Sequence, residues 1–133
     1  MRSNRFSQTD QGFVLGRKRQ RRTRFLQPLC NNPPYFFALN AASGAVRWTA
    51  INTSHPILSS PGVANGLVFV GSDDGNLYAF DAAGSLGCSG TPTSCSPLWT
   101  GPTGGAVQSS PAIANGKVYV ASGDGKLYAF GLP

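Results

Sequence analysis

The chain has 133 residues, a single-domain length, with 17 glycines, 10 prolines, 12% charged residues and no glutamate. Helix surfaces draw heavily on Glu, Lys and Ala, so this composition excludes a helical bundle and fits an all-β chain with many turns. The net charge of +6 averages two unlike parts: eight basic residues against one aspartate in residues 1–24, and three basic residues against four aspartates in the rest.

The first segment, residues 1–34, holds the run Arg17-Lys18-Arg19-Gln20-Arg21-Arg22-Thr23-Arg24. It reads as a disordered basic tail. Such a run can also contact nucleic acid through phosphates, which stays open as an alternative function, although nucleic acid is not the expected partner. Its longest apolar stretch, Phe13-Val14-Leu15, falls short of the roughly 7–15 residues of a secretory core. No stretch of the chain reaches the roughly 20 apolar residues of a membrane span. Cys30 has no assigned role.

From about Tyr35 the composition changes and the chain repeats. Residues 59–80, SSPGVANGLVFVGSDDGNLYAF, align without a gap to residues 109–130, SSPAIANGKVYVASGDGKLYAF, with 15 of 22 positions identical. A partial earlier copy, Phe36-Phe37-Ala38-Leu39-Asn40-Ala41-Ala42, matches Leu77-Tyr78-Ala79-Phe80-Asp81-Ala82-Ala83. Within each full copy an Asn-Gly pair (Asn65-Gly66, Asn115-Gly116) separates apolar runs, the signature of a type I′ hairpin turn. The predicted strands are Leu67–Gly71 and Lys117–Ala121, then Asn76–Phe80 and Lys126–Phe130 after an Asp-Gly turn, with a last strand through Trp48 or Trp99. The offsets between copies are 41 and then 50, so the second unit carries an insertion within Ser85–Ser96, which holds Cys88 and Cys95.

Four short antiparallel strands in about forty residues make one propeller blade, which becomes stable by stacking on its neighbours. The segment Ala38-Leu39-Asn40-Ala41-Ala42-Ser43-Gly44-Ala45-Val46-Arg47-Trp48 resembles the tryptophan-docking motif of pyrroloquinoline-quinone (PQQ)-type propeller repeats, through Ala38, Asn40, Gly44 and Trp48. The resemblance covers about residues 35–133. It implies that Trp48 packs between blades. In the second copy Ala79, Asp81 and Gly84 match, and the insertion carries Trp99 further along the chain.

That family includes quinoprotein dehydrogenases and non-enzymatic scaffolds, so the choice falls to the site residues. By resemblance, the dehydrogenase site uses adjacent cysteines, a Glu and an Asn for calcium and a catalytic Asp; this chain has no Cys-Cys pair and no Glu. Asp73-Asp74-Gly75 and Asp124-Gly125 are two aspartates and one aspartate before a glycine. They read as turns rather than calcium loops, which need six to eight oxygen ligands. Cys88 and Cys95, in a polar loop with His55 the only histidine, read as a local disulfide rather than a zinc site, and so point to an oxidising compartment. His55 carries no predicted role.

The sequence therefore predicts an all-β, partial β-propeller of four-stranded antiparallel blades, with a disordered basic tail over residues 1–34. Its expected blades are partial (35–51), full (52–102) and incomplete (103–133), nine strands in all. Closed propellers have about 4–8 blades, so the chain is expected to belong to a longer protein or to associate with copies of itself. The expected function is a non-catalytic binding or scaffold module, periplasmic or secreted. The expected residues are Cys88 and Cys95 in a disulfide and Ala38, Asn40, Gly44, Trp48, Ala79, Asp81, Gly84 and Trp99 in blade docking, with no catalytic, cofactor or metal residues. A fragment of a PQQ-dependent dehydrogenase is the alternative, with PQQ and calcium held only by a longer parent.

Overall fold

The computed structural model describes residues 13–20, 23–28, 36–50, 55 and 57–132, and these residues are all β, without a helix. No helix among them is long and apolar enough to cross a membrane. The first four strands are β1 (Phe13–Gln20), β2 (Thr23–Pro28), β3 (Phe37–Asn40) and β4 (Val46–Ala50), antiparallel in that order. The second sheet starts with β5 (Gly62–Ala64), β6 (Leu67–Gly71) and β7 (Asn76–Asp81). A small hairpin follows, β8 (Cys88–Ser89) and β9 (Ser94–Cys95), before β10 (Trp99–Pro102) closes the sheet against β7. The third sheet is β11 (Ala112–Ala114), β12 (Lys117–Ala121) and β13 (Leu127–Gly131).

Two expectations need correction. Residues 13–20 and 23–28, predicted as part of a disordered tail, are paired strands, and β2 continues the ladder onto β3 from Thr23↔Asn40 to Leu26↔Phe37. The first blade therefore has four strands where only the last two were expected. The physical reason is that β3 needs a backbone partner on each edge, and Phe25-Leu26 is a short β-forming run hidden among arginines. The second correction is the hairpin β8–β9, which together with β1 and β2 raises the count from nine strands to 13 among the described residues. The remainder of the predicted tail, including Cys30, lies outside the described residues.

The turns follow local chemistry. Asn65 and Gly66 have φ of 52° and 75°, Asn115 and Gly116 have 52° and 74°, as a type I′ turn demands. The repeated Ser-Ser-Pro run also has a use: the Gly71 N–H donates to Ser59 Oγ at 2.6 Å, and the Ala121 N–H to Ser109 Oγ at 2.9 Å. Each serine thus ties the strand entering a blade to the end of its second strand.

Two apolar clusters hold the sheets face to face. One joins Phe36, Ala38, Trp48 and Ala50 of the first sheet to Val68, Val70, Tyr78 and Phe80 of the second. The other joins Phe69, Leu77, Ala79 and Trp99 of the second to Val118, Val120 and Phe130 of the third. Alternate residues of β6 and β7 serve opposite clusters, as the two-residue strand period requires.

Candidate functional site

The predicted docking residues form two related corners. Ala38 lies opposite Trp48 across β3–β4, and Ala79 opposite Trp99 across β7–β10, so a methyl faces each indole in the ladder. Asn40 Oδ1 accepts the N–H groups of Ala42 and Ser43 at 2.8 and 3.2 Å, and Gly44, at φ 79°, donates its N–H to the Asn40 carbonyl. Asp81 plays the same part: Oδ1 accepts from Ala83 at 3.3 Å, and Oδ2 from Ser85 and Leu86 at 2.8 and 2.7 Å. An acceptor side chain here satisfies the backbone donors of the turn, which is why Asn or Asp is suited to the position.

Trp48 is 1% exposed and reaches from the first sheet to the second. Its ring lies 5.8 Å from Phe80 and 6.1 Å from Phe36, and Nε1 donates to the Ala82 carbonyl at 3.4 Å. Gly84, at φ 76°, forms the floor beneath the indole; a Cβ there would collide with it. Trp99 is half-buried and meets Phe130 of the third sheet edge-on, with centroids 5.1 Å apart at 73°. Its indole folds over Gly101.

Cys88 and Cys95 form the disulfide, facing each other across β8–β9. Cys95 is fully buried in the first cluster, and Cys88 packs on it half-buried. The insertion is more than a closed loop. Strand β9 pairs parallel with β4 at Thr49↔Ser94 and Ala50↔Cys95, and the Thr49 N–H donates to the Thr93 carbonyl at 3.1 Å. A loop of the second blade thus covers the outer edge of the first.

Polar side chains gather where the Asp-Gly turns meet the inter-sheet connection. The Tyr78 hydroxyl donates to Asp74 Oδ2 at 2.5 Å, and the Tyr128 hydroxyl to Asp124 Oδ2 at 2.6 Å. The other carboxylate oxygens accept from Asn76 and Lys126 N–H groups, both at 3.0 Å. Burial, then the bond to Asp74, pushes the Tyr78 hydroxyl up to about 12. The hydrogen bond from Tyr128 holds Asp124 below its ordinary value, and the same bond raises Tyr128. Sequence reasoning passed over these pairs, although the spacing Asp-x-x-x-Tyr recurs in both copies. Between the turns, the Thr103 hydroxyl lies 2.8 Å from the carbonyls of both Gly75 and Gly105 and 3.0 Å from Ser122 Oγ, and Gln108 Nε2 donates to Asp73 Oδ1 at 2.8 Å. His55 is exposed, and its carbonyl accepts from the Ser72 hydroxyl. Among the described residues no three His, Cys, Asp or Glu side chains converge.

Twisted antiparallel sheets stacked in series through apolar faces define β-propeller blades. Residues 30–87, under half of the chain, match the PQQ-like family model for the outer membrane protein assembly factor BamB, and the repeats are similar to those of PQQ-like β-propellers. Three solved structures share the fold. The computationally designed protein Ika8 has 12% identity and TM-score 0.66 over 89% of this chain and 32% of its own. BamB from Moraxella catarrhalis has 22% identity and TM-score 0.63 over 84% and 31%. The quinohemoprotein alcohol dehydrogenase ADHIIG from Pseudomonas putida HK5 has 22% identity and TM-score 0.64 over 83% and 17%. The chain thus spans about a third or less of each. Comparison with curated proteins gives no match.

Proposed function

We propose that this chain is a non-catalytic PQQ-like propeller module that serves as a binding or scaffold surface in an extracytoplasmic protein. The observation that carries this reading is how its carboxylates are used. Asp74 and Asp124 are each bonded to a tyrosine hydroxyl and a backbone N–H, Asp81 caps a turn, and Asp73 takes the Gln108 amide. With no Glu and no adjacent cysteines, this donor set does not fit PQQ with calcium, an ion that wants six to eight oxygens. Support for a protein partner comes from the assembly factor whose family model matches. The outer-membrane setting of that factor and the Cys88–Cys95 bond support a place outside the cytoplasm. Ala38, Trp48, Gly84 and Trp99 would then hold blades in register, and the loop face would be free to meet a partner.

The test is titration of the purified chain with PQQ, with and without calcium, followed by equilibrium dialysis, together with a dye-reduction assay using primary alcohols. No saturable quinone binding and no dye reduction are expected. Stoichiometric, calcium-dependent binding would overturn the reading in favour of a dehydrogenase fragment. The nucleic-acid alternative draws on the basic run Arg17-Lys18-Arg19-Gln20-Arg21-Arg22-Thr23-Arg24 of the sequence. Its signature is a duplex affinity that falls steeply with added salt.

A further inference from the structure

Two exposed turns carry a chemistry that the binding reading does not use. Asn65-Gly66 joins β5 to β6, and Asn115-Gly116 joins β11 to β12. Both asparagines are exposed, and no hydrogen bond holds either side-chain amide among the described residues. The glycine after each is exposed too, with nothing within 4 Å of where a Cβ would stand. Asn40 and Asn76 differ on each count. They are half-buried; Asn40 Oδ1 accepts from Ala42 and Ser43, and Asn76 Nδ2 donates to the Tyr78 hydroxyl. Each is followed by a residue with a side chain, Ala41 or Leu77.

We propose that Asn65 and Asn115 are sites of spontaneous deamidation, with water as the only co-reactant. The following glycine nitrogen bonds to the asparagine Cγ, the amide C–N bond breaks, and ammonia leaves with the proton of the glycine N–H. Water then opens the five-membered imide. Cleavage at Cγ gives aspartate, and cleavage at the main-chain carbonyl gives isoaspartate, whose backbone runs through Cβ and Cγ. Nothing is oxidised or reduced. The attacking nitrogen must lose its proton, so the rate climbs with pH. In the folded chain the turn must also swing open. The Gly66 carbonyl accepts the Ala82 N–H and the Gly116 carbonyl accepts the Leu132 N–H, both at 2.9 Å. Conversion is therefore slower than in a free peptide and paced by local opening of the hairpin.

Isoaspartate is disruptive at this place. A two-residue turn fixes the registers Ala64↔Leu67 and Ala114↔Lys117, and an added backbone carbon breaks that fit. At Asn65 the effect reaches inwards. The Ala82 N–H bonds to Gly66, and the Ala82 carbonyl accepts Trp48 Nε1, so this turn stands two hydrogen bonds from the buried indole of the first junction. The proposal is independent of the binding-module reading.

The test ages the full chain in mildly acidic and mildly alkaline buffer and maps its peptides with electron-transfer fragmentation, which separates aspartate from isoaspartate. Conversion is expected at Asn65 and Asn115, faster in alkali, absent at Asn40 and Asn76, and slower than in a free peptide of residues 61–70. Asn65→Gly and Asn115→Gly keep a residue that accepts positive φ and remove the reacting amide. Each should lose its own product and leave that of the other site unchanged. In the Asn115→Gly chain, isoaspartate at Asn65 should raise amide exchange at Ala82. A folded chain that stays unconverted at both sites while the peptide converts overturns the proposal, as does equal conversion at Asn40 and Asn76. Unchanged exchange at Ala82 after isoaspartate has formed overturns the link from this turn to the first junction.

Discussion

The two blade junctions use one motif in different surroundings. At the first, Trp48 is enclosed by Phe36 and Phe80, bonded to the Ala82 carbonyl, floored by Gly84 and flanked by the buried Cys95. At the second, Trp99 keeps its place opposite Ala79 but rests on its own strand and on one ring, Phe130. The tryptophan alone therefore does not make a tight junction. The turn that passes beneath it and the chain that covers the strand edge set how much of it leaves water.

The largest way to break this comparison is to truncate the rings. Trp48→Ala is expected to cost about 3–5 kcal/mol, and Trp99→Ala about 1–3 kcal/mol, since less of its surface leaves water. Equal losses in urea unfolding, followed by circular dichroism, would mean that the junctions are equivalent. Next is the cover over the first junction. Reducing Cys88–Cys95 should cost about 2–3 kcal/mol, the scale for a short closed loop. It should also raise amide exchange at Thr49, whose N–H bonds to Thr93, without changing exchange in β10.

A smaller difference separates two glycines of like backbone. Gly66→Ala, at φ 75° in open space, should cost about 1–2 kcal/mol from the backbone alone. Gly84→Ala should cost more, because it also displaces Trp48, and the excess should vanish in a Trp48→Ala background. The smallest effect contrasts the two Asp–Tyr pairs. Tyr78→Phe should cost about 1 kcal/mol, and Tyr128→Phe, at the more exposed pair, less. The Tyr78 hydroxyl is raised from 10.0 to about 12 in the folded chain. Its contribution is therefore complete below about pH 10 and lost as pH rises towards 12. Tyr78→Phe should flatten that part of the alkaline decline.

Much of the fold was legible because the chain repeats its turn chemistry. Asn65-Gly66 and Asn115-Gly116 mark hairpins by their positive φ, and the Ala-Asn-Gly-Trp spacing of residues 38–48 marks a corner whose every member has a steric or hydrogen-bonding cause. The strands over residues 13–20 and 23–28 escaped because the dense arginines in the run resemble a solvated tail, and because no Asn-Gly pair separates them. The disulfide was readable from loop composition. The pairing of β9 with β4 was not, because it depends on how one blade lies beside the next. The Asp–Tyr bonds needed both copies to be compared position by position for side-chain partners as well as for strands.

The join between β9 and β4 also has a mechanical meaning. Because the two strands run parallel, pulling β4 along its length loads its bonds to β9 together instead of unzipping them one by one. The residues between Cys88 and Cys95 release no slack while that bond is intact. Under tension the first two blades should therefore part later and more abruptly than the second and third, so the insertion behaves as a clamp whose grip ends when its sulfur bond is cut.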